Sequence, residues 1–255
     1  MDPRLPVASV VRRTQRAGYS STVAALQFGQ FDDFEMEIYL TEIHHQVEAA
    51  SLAITELNGS LARSGAGTVP RAFASAQALL GAAAMLSKLL WPTPGGVDSP
   101  GRLLSPGAAE GGARARARAR GRELRRVLDN LKAPSPLETR RVRNAFEHFD
   151  ERLDKYLYDS RGGQRLVVDR NIGPANMVMT PSGPPRYLRH INPVEGSISV
   201  LDDSVAVQPL VDAIADVGKR AERALDAIGA SRTTARLVSR TVCPDAREAP
   251  RRDPS

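Results

Sequence analysis

The sequence predicts a mainly α fold: a four- to five-helix bundle with a small β-hairpin insertion near the C-terminal end. Three observations carry this. Aromatic residues are scarce, with six Phe, five Tyr and one Trp in 255 residues, while alanine is abundant, which suits close-packed helices rather than a sheet sandwich. Apolar residues recur at alternating three- and four-residue steps early in the chain and again around 210–228. Strand-type patterning is confined to a short stretch after Gly162-Gly163.

Taken in order, residues 1–30 show no sustained period and read as an irregular arm. A first helix over 31–57 places Met36, Leu40, Ile43, Val47, Ala50, Ile54 and Leu57 on one narrow seam, and Gly59 is expected to end it. Thr68 is expected to cap a second helix over 70–91, which is apolar on nearly all sides and stopped by Pro92. Trp91, the only tryptophan, is expected to close the core at that helix end. Residues 92–118 read as a flexible Pro/Gly/Arg-rich linker. Leu124, Val127, Leu128 and Leu131 then make a short third helix before Pro134.

Ser135-Pro136-Leu137-Glu138 has the form of a capping box with proline at the first helical position, and it announces a fourth helix over 136–158 that buries Val142, Phe146, Phe149, Leu153 and Tyr156. Residues 166–169 suggest a short strand, and 186–201 a β-hairpin turning at Asn192-Pro193-Val194-Glu195-Gly196. A last amphipathic helix uses Leu210, Ile214, Val217, Ala221, Leu225 and Ile228, and 230–255 reads as a disordered basic tail. A single domain over 31–229 follows.

Composition is that of a soluble globular protein, with 42% hydrophobic and 25% charged residues. The N-terminal residues lack an apolar h-region, and the most apolar stretch, 72–90, is interrupted by Ser75, Gln77, Gly81, Ser87 and Lys88, so neither a signal peptide nor a membrane span is expected. Cys243 has no partner in the chain, which argues against a disulfide framework or a cysteine-built zinc site and points to a cytoplasmic setting. The formal charge is +6, and residues 111–126 alone hold seven Arg against one Glu. Such a run can be an electrostatic footprint for RNA. Because 113–120 contains no aromatic residue on which bases could stack, it reads rather as a solvated Ala-Arg linker.

The chemistry-bearing feature is Arg143-Asn144-Ala145-Phe146-Glu147-His148, inside the fourth helix. At about 100° per residue, Arg143 and His148 lie about 140° apart and flank the polar face from opposite sides. A second copy of the helix across a two-fold axis would bring Arg and His from different chains into one groove, so a homodimer is the expected partner state. Histidine near its ordinary pKa can accept or donate a proton at neutral pH, and arginine presents fixed donors to phosphate oxygens. The pair suffices for metal-independent RNA cleavage through the ribose 2′-OH, with Asn144 orienting phosphate or imidazole. From spacing alone, a plain Arg143–Glu147 surface pair with His148 as an ordinary helix residue is the simpler account. Arg140, Arg141, Arg122, Arg125 and Arg126 are the candidate RNA contacts.

Arg143, Asn144 and His148 match the Arg-x4-6-His signature, with a polar residue after the Arg, of the HEPN (higher eukaryote and prokaryote nucleotide-binding) superfamily of α-helical domains. The stretch from Arg143 through Asp154 resembles uncharacterised bacterial HEPN-like proteins, as do Ser87-Lys88-Leu89-Leu90-Trp91-Pro92 and Asp169-Arg170-Asn171-Ile172-Gly173-Pro174. The resemblance implies a HEPN-like bundle, often dimeric, in which Arg143 and His148 cleave RNA without a metal or cofactor, as toxin, abortive-infection and CRISPR-associated members do. It also implies a cognate antitoxin or other partner protein. Other members have lost activity and serve as nucleotide- or RNA-binding or protein-interaction modules. Asp150 stands where toxins regulated by nucleotidyltransferase antitoxins carry Tyr, so the resemblance implies no modification there. Asp150 and Glu151 also put negative charge beside the motif, which opposes polyanion binding.

Other constellations are weaker. Glu42-x-x-His45 has di-iron ligand spacing, but no second Glu-x-x-His occurs in the chain, so no metal is assigned. His44 and His45 read as a polar shoulder with Glu48 nearby, and His190 as a hairpin residue facing solvent with no role.

Overall fold

A computed structural model describes residues 31–63, 65, 67–92, 113–132, 135–138, 149–159, 167–177 and 185–242. Among them are five helices: α1 (Asp33–Leu61), α2 (Thr68–Leu90), α3 (Ala113–Val127), α4 (Phe149–Asp159) and α5 (Val207–Val242). Six short strands complete the list: β1 (Val167–Val168), β2 (Asn171–Ile172), β3 (Arg186–Tyr187), β4 (Arg189–Asn192), β5 (Ser197–Val200) and β6 (Asp203–Ala206). The fold is therefore mainly α with a small sheet toward the C-terminal end, as the composition and periodicity predict.

The α1 seam is the centre of the core. Met36, Leu40, Ile43 and Leu57 have no solvent exposure, and Ala50 and Ile54 are buried with them. They pack on Ala72, Ala76, Leu79, Leu86 and Leu90 of α2 and on Val217, Ala221 and Ile228 of α5. Gly218 lets α5 approach α1 closely, because a Cβ there would stand 2.8 Å from Val47 Cγ1. Helix α2 has the length and mean hydropathy, 1.4, to cross a membrane by composition alone, a test that the core helix of a globular domain also passes. Here its apolar face is spent on α1.

Several boundaries differ from the sequence expectation. Helix α1 runs through Gly59 to Leu61 and starts from Asp32, whose side chain accepts from Glu35 N at 2.7 Å while Glu35 Oε2 accepts from Asp32 N at 3.3 Å. This reciprocal box satisfies two N–H groups that the first turn leaves open. Thr68 does not cap α2; Gly67, at φ +91°, occupies the N-cap position and Thr68 Oγ1 donates to Gly65 O at 2.8 Å. Ser135 accepts from Leu137 N at 3.3 Å within a turn at 136–138, so the described part of the expected capping box is a serine turn that buries Leu137. Helix α5 continues to Val242, past residue 229, where the tail was expected to begin.

The largest correction is α3. Residues 113–118, expected as part of a flexible linker, belong to a helix that continues to Val127. The aromatic partners its own sequence lacks come from elsewhere. The Arg116 guanidinium lies 5.3 Å from the Phe31 ring centroid and pairs with Glu35, and Arg120 lies 5.5 Å from the Tyr39 ring and donates to Lys88 O at 3.1 Å. Arg125 lies 5.8 Å from the Trp91 ring and donates to Leu90 O. Each cation–π contact contributes about 0.5–2 kcal/mol depending on exposure. Alternating Ala and Arg therefore supply close approach and long cationic arms in one helix.

Gly121 is the point of closest approach, since a Cβ there would lie 2.5 Å from Pro92 Cδ and 2.8 Å from Leu90 O. Gly121→Ala is expected to destabilise the fold by about 1–3 kcal/mol through overpacking. Gly81→Ala on α2, whose Cβ meets nothing within 4 Å, is expected to stabilise it by about 0.5–1 kcal/mol through helix propensity. Chemical denaturation of the two variants checks the opposite signs.

The sheet order is β2-β4-β5-β6, with β2 parallel to β4 and the other neighbours antiparallel, and a separate parallel pair β1-β3. The expected hairpin is β4-β5, whose turn is held by Asn192 Oδ1 accepting from Val194 N at 3.1 Å and Glu195 N at 3.2 Å, with Gly196 at φ +64°. Ile191, Ile198 and Val200 point into the common core, and β6 runs directly into α5 at Val207.

Candidate nucleic-acid interface

Arg140, Arg141, Arg143, Asn144 and His148 all lie outside the described residues, which resume at Phe149. What is described is the surface to which the C-terminal side of that motif is tied. Helix α4 opens with Phe149, and the Arg189 guanidinium of β4 stands 4.5 Å from its ring centroid. Arg152 pairs with Asp203 at the start of β6, and Tyr156, buried, donates from its hydroxyl to Tyr187 O at 3.2 Å. Helix α4 thus docks on the strands through contacts that include a cation–π contact, an ion pair and a hydrogen bond. Asp150 and Glu151 are exposed at its start.

Arg189 is itself held by Asp169, donating from Nη1 to both carboxylate oxygens at 2.8 and 2.9 Å. Arg170 Nε approaches the same carboxylate at 3.6 Å. Two guanidinium groups therefore share one acid. Arg170 adopts φ +58°, a left-handed conformation that is uncommon for a residue with a Cβ and costs of order 1–3 kcal/mol. Arg170 and Arg189 line a pocket of about 300 Å³ together with Phe73 and Gln77 of α2 and Ile198 and Ser199 of β5.

Behind this pocket, His190 corrects the sequence reading. It is buried rather than solvent-facing, stacked on Tyr187 with centroids 4.6 Å apart, and its Nε2 lies 2.7 Å from Gly173 O. Tyr187 in turn donates from its hydroxyl to Ala175 O at 3.0 Å. The imidazole therefore fastens the segment after β2 to β4, and so holds Asp169 and Arg170 beside Arg189.

The proposed RNA-contacting arginines of α3 separate into two groups. Arg122 is exposed. Arg125 caps the C-terminal carbonyl of α2, and burial lowers its pKa while Glu138 partly opposes the shift. Arg126 donates to Glu123 from Nη2 at 2.6 Å, a bond that raises its pKa. Both are committed to intramolecular partners. Among the described residues no group of three His, Cys, Asp or Glu side chains converges to hold a metal, and Glu42 instead accepts from Gln46 Nε2 at 2.8 Å.

Sequence reasoning missed Arg170, Arg189 and the α2 face opposite them. The one available trace was Asp169-Arg170-Asn171-Ile172-Gly173-Pro174, a family-like string that contributes Arg170 to the pocket lining and Asp169 as its ion-pair partner. The other string, ending in Trp91-Pro92, forms the seat of α3. No family model, curated protein or solved structure matches this chain.

Proposed function

We propose that the chain is a metal-independent endoribonuclease of the HEPN type, acting in the cytoplasm as a homodimer in a toxin or defence role, with an antitoxin or other protein as its regulator. The observation that supports this reading is the Arg143-Asn144-x-x-x-His148 hexapeptide, joined covalently to Phe149, which sits against the Arg189 guanidinium beside a cationic pocket. In the proposed reaction the ribose 2′-OH loses its proton to one imidazole and attacks the adjacent phosphorus. The P–O5′ bond breaks, a protonated imidazole returns a proton to the departing 5′ oxygen, and the products are a 2′,3′-cyclic phosphate and a 5′-hydroxyl. His148 does the proton transfer, Arg143 stabilises the charge growing on the phosphate oxygens, and Asn144 positions the phosphate. The angular separation of Arg143 and His148 on one helix is why the reading calls for two chains in one groove. RNA cleavage in EDTA by the wild type and by His148→Ala is the test.

A second reading, a non-catalytic nucleotide- or RNA-binding or protein-interaction module, is favoured by one observation. Asp150 and Glu151 are exposed immediately after the motif while Arg125 and Arg126 are engaged within the fold, so fewer cations face a polyanion than the sequence suggests. On that reading His148→Ala leaves the cellular phenotype unchanged.

A further inference from the structure

We propose that the pocket between α2 and the sheet is a subsite for one nucleotide unit of single-stranded RNA, its phosphate on Arg170 and Arg189 and its base against Phe73. The proposal deepens the ribonuclease reading, on which it rests for the strand but not for nucleotide binding itself.

Charge is the first argument. Arg170 and Arg189 share the single carboxylate of Asp169, so the cluster has a formal excess of one positive charge, and none of the residues lining the pocket is acidic. That excess matches the single negative charge of a phosphodiester, and guanidinium forks suit its oxygens. The two side chains differ in restraint. Arg189 is fixed by Asp169 and Phe149, whereas Arg170 has half its side chain exposed and can close on a ligand.

The shape of the wall is the second. Phe73 lines the pocket beside Ile198, and the edge of its largely buried ring offers a base an apolar contact. Gln77, an exposed lining residue, carries both a donor and an acceptor. Ser199 Oγ donates to Ser204 Oγ at 3.1 Å, which leaves its lone pairs to accept from a base amino group. The volume, about 300 Å³, is at the lower end of the ~300–1,000 Å³ range of small-molecule sites and suits one unit rather than several.

Backbone and connectivity are the third. Arg170 holds a left-handed φ of +58° at the pocket wall, and such local strain concentrates at ligand-contacting positions. Arg189 contacts Phe149, the residue that follows His148 in the chain, so one residue of sequence links the pocket to the proposed acid-base group.

The experiment is calorimetric titration of the full chain with adenosine 5′-monophosphate, with inorganic phosphate, and with a single-stranded tetraribonucleotide, the last on His148→Ala so that it stays intact. Ala74→Trp fills the pocket mouth from an exposed position on α2, and Arg170→Asn removes a guanidinium while suiting the left-handed backbone. The mononucleotide is expected to bind at one site per chain, and both variants to weaken it about tenfold or more with unchanged melting temperature. Inorganic phosphate is expected to bind more weakly than the mononucleotide, and the tetranucleotide to displace the mononucleotide. No mononucleotide binding, or binding unaffected by both variants, overturns the subsite; a tetranucleotide that binds without displacing the mononucleotide overturns its assignment to a strand. Cleavage that persists without mononucleotide binding defeats the subsite alone. Mononucleotide binding and displacement without any cleavage by the wild type defeat the ribonuclease reading alone.

Discussion

RNA cleavage by His148→Ala is expected to fall about 10²- to 10⁴-fold below the wild type, the usual contribution of a positioned acid-base group. Its melting temperature should stay close to that of the wild type, since the loss is chemical rather than structural. Arg143→Ala should lose about 10²–10³-fold, the scale for removing one donor to a developing oxyanion. A mixture of the two variants should regain cleavage if the groove is built from two chains, because some mixed dimers then contain one site with both groups intact. Equal rates for wild type and His148→Ala would remove the imidazole from the mechanism, and mixtures without recovery would remove the two-chain groove.

Leu40→Asp is expected to abolish folding. Leu40 has no solvent exposure and sits between α2 and α5 on the central seam, so the substitution removes packing and buries a carboxyl group with no partner. Leu40→Ala alone should cost about 2–5 kcal/mol, a large share of the ~5–15 kcal/mol typical of a whole domain. Phe34→Asp on the opposite, exposed face of α1 should change stability by only about 0.5 kcal/mol. Far-ultraviolet circular dichroism and urea midpoints separate the three. A folded Leu40→Asp protein would mean that the α1 seam is a surface between molecules and not the interior of one.

The α1 seam was legible in the sequence because a long helix writes its burial into a period that local composition cannot mimic. Met36, Leu40, Ile43, Ala50, Ile54 and Leu57 are buried as that period requires and Val47 is half-buried, and the α5 stripe from Leu210 to Ile228 is buried likewise except for the half-buried Leu225. The hairpin at 189–200 was legible through its turn residues. Helix α3 was not, because what stabilises it is not in its own segment. The rings under its arginines belong to Phe31, Tyr39 and Trp91, and Gly121 acts through Pro92. An Ala-Arg repeat read in isolation shows charge without partners, and so looks like a linker.

The short strand expected at 166–169 is β1, and β3 lies at the start of the expected hairpin segment, but β2 was not expected, and the parallel pairing of these two-residue strands is fixed by contacts far along the chain. The candidate site divides in the same way. Its proposed acid-base residues form a local motif that the sequence displays, whereas the pocket joins Phe73 and Gln77 to Arg170, Arg189 and Ser199, residues brought together only by the docking of the sheet on α2. His190 shows how a flank misleads: its place between Arg189 and Ile191 suggests solvent, yet its ring stacks on Tyr187 and its Nε2 meets Gly173 O.

The central claim is tested most directly by the ends of the RNA fragments released by the dimeric wild type in EDTA. Attack by the 2′-OH predicts a 2′,3′-cyclic phosphate and a 5′-hydroxyl, and no cleavage at a position where that hydroxyl is replaced by hydrogen. Fragments with a 5′-phosphate, cleavage at the 2′-deoxy position, or intact RNA would contradict it.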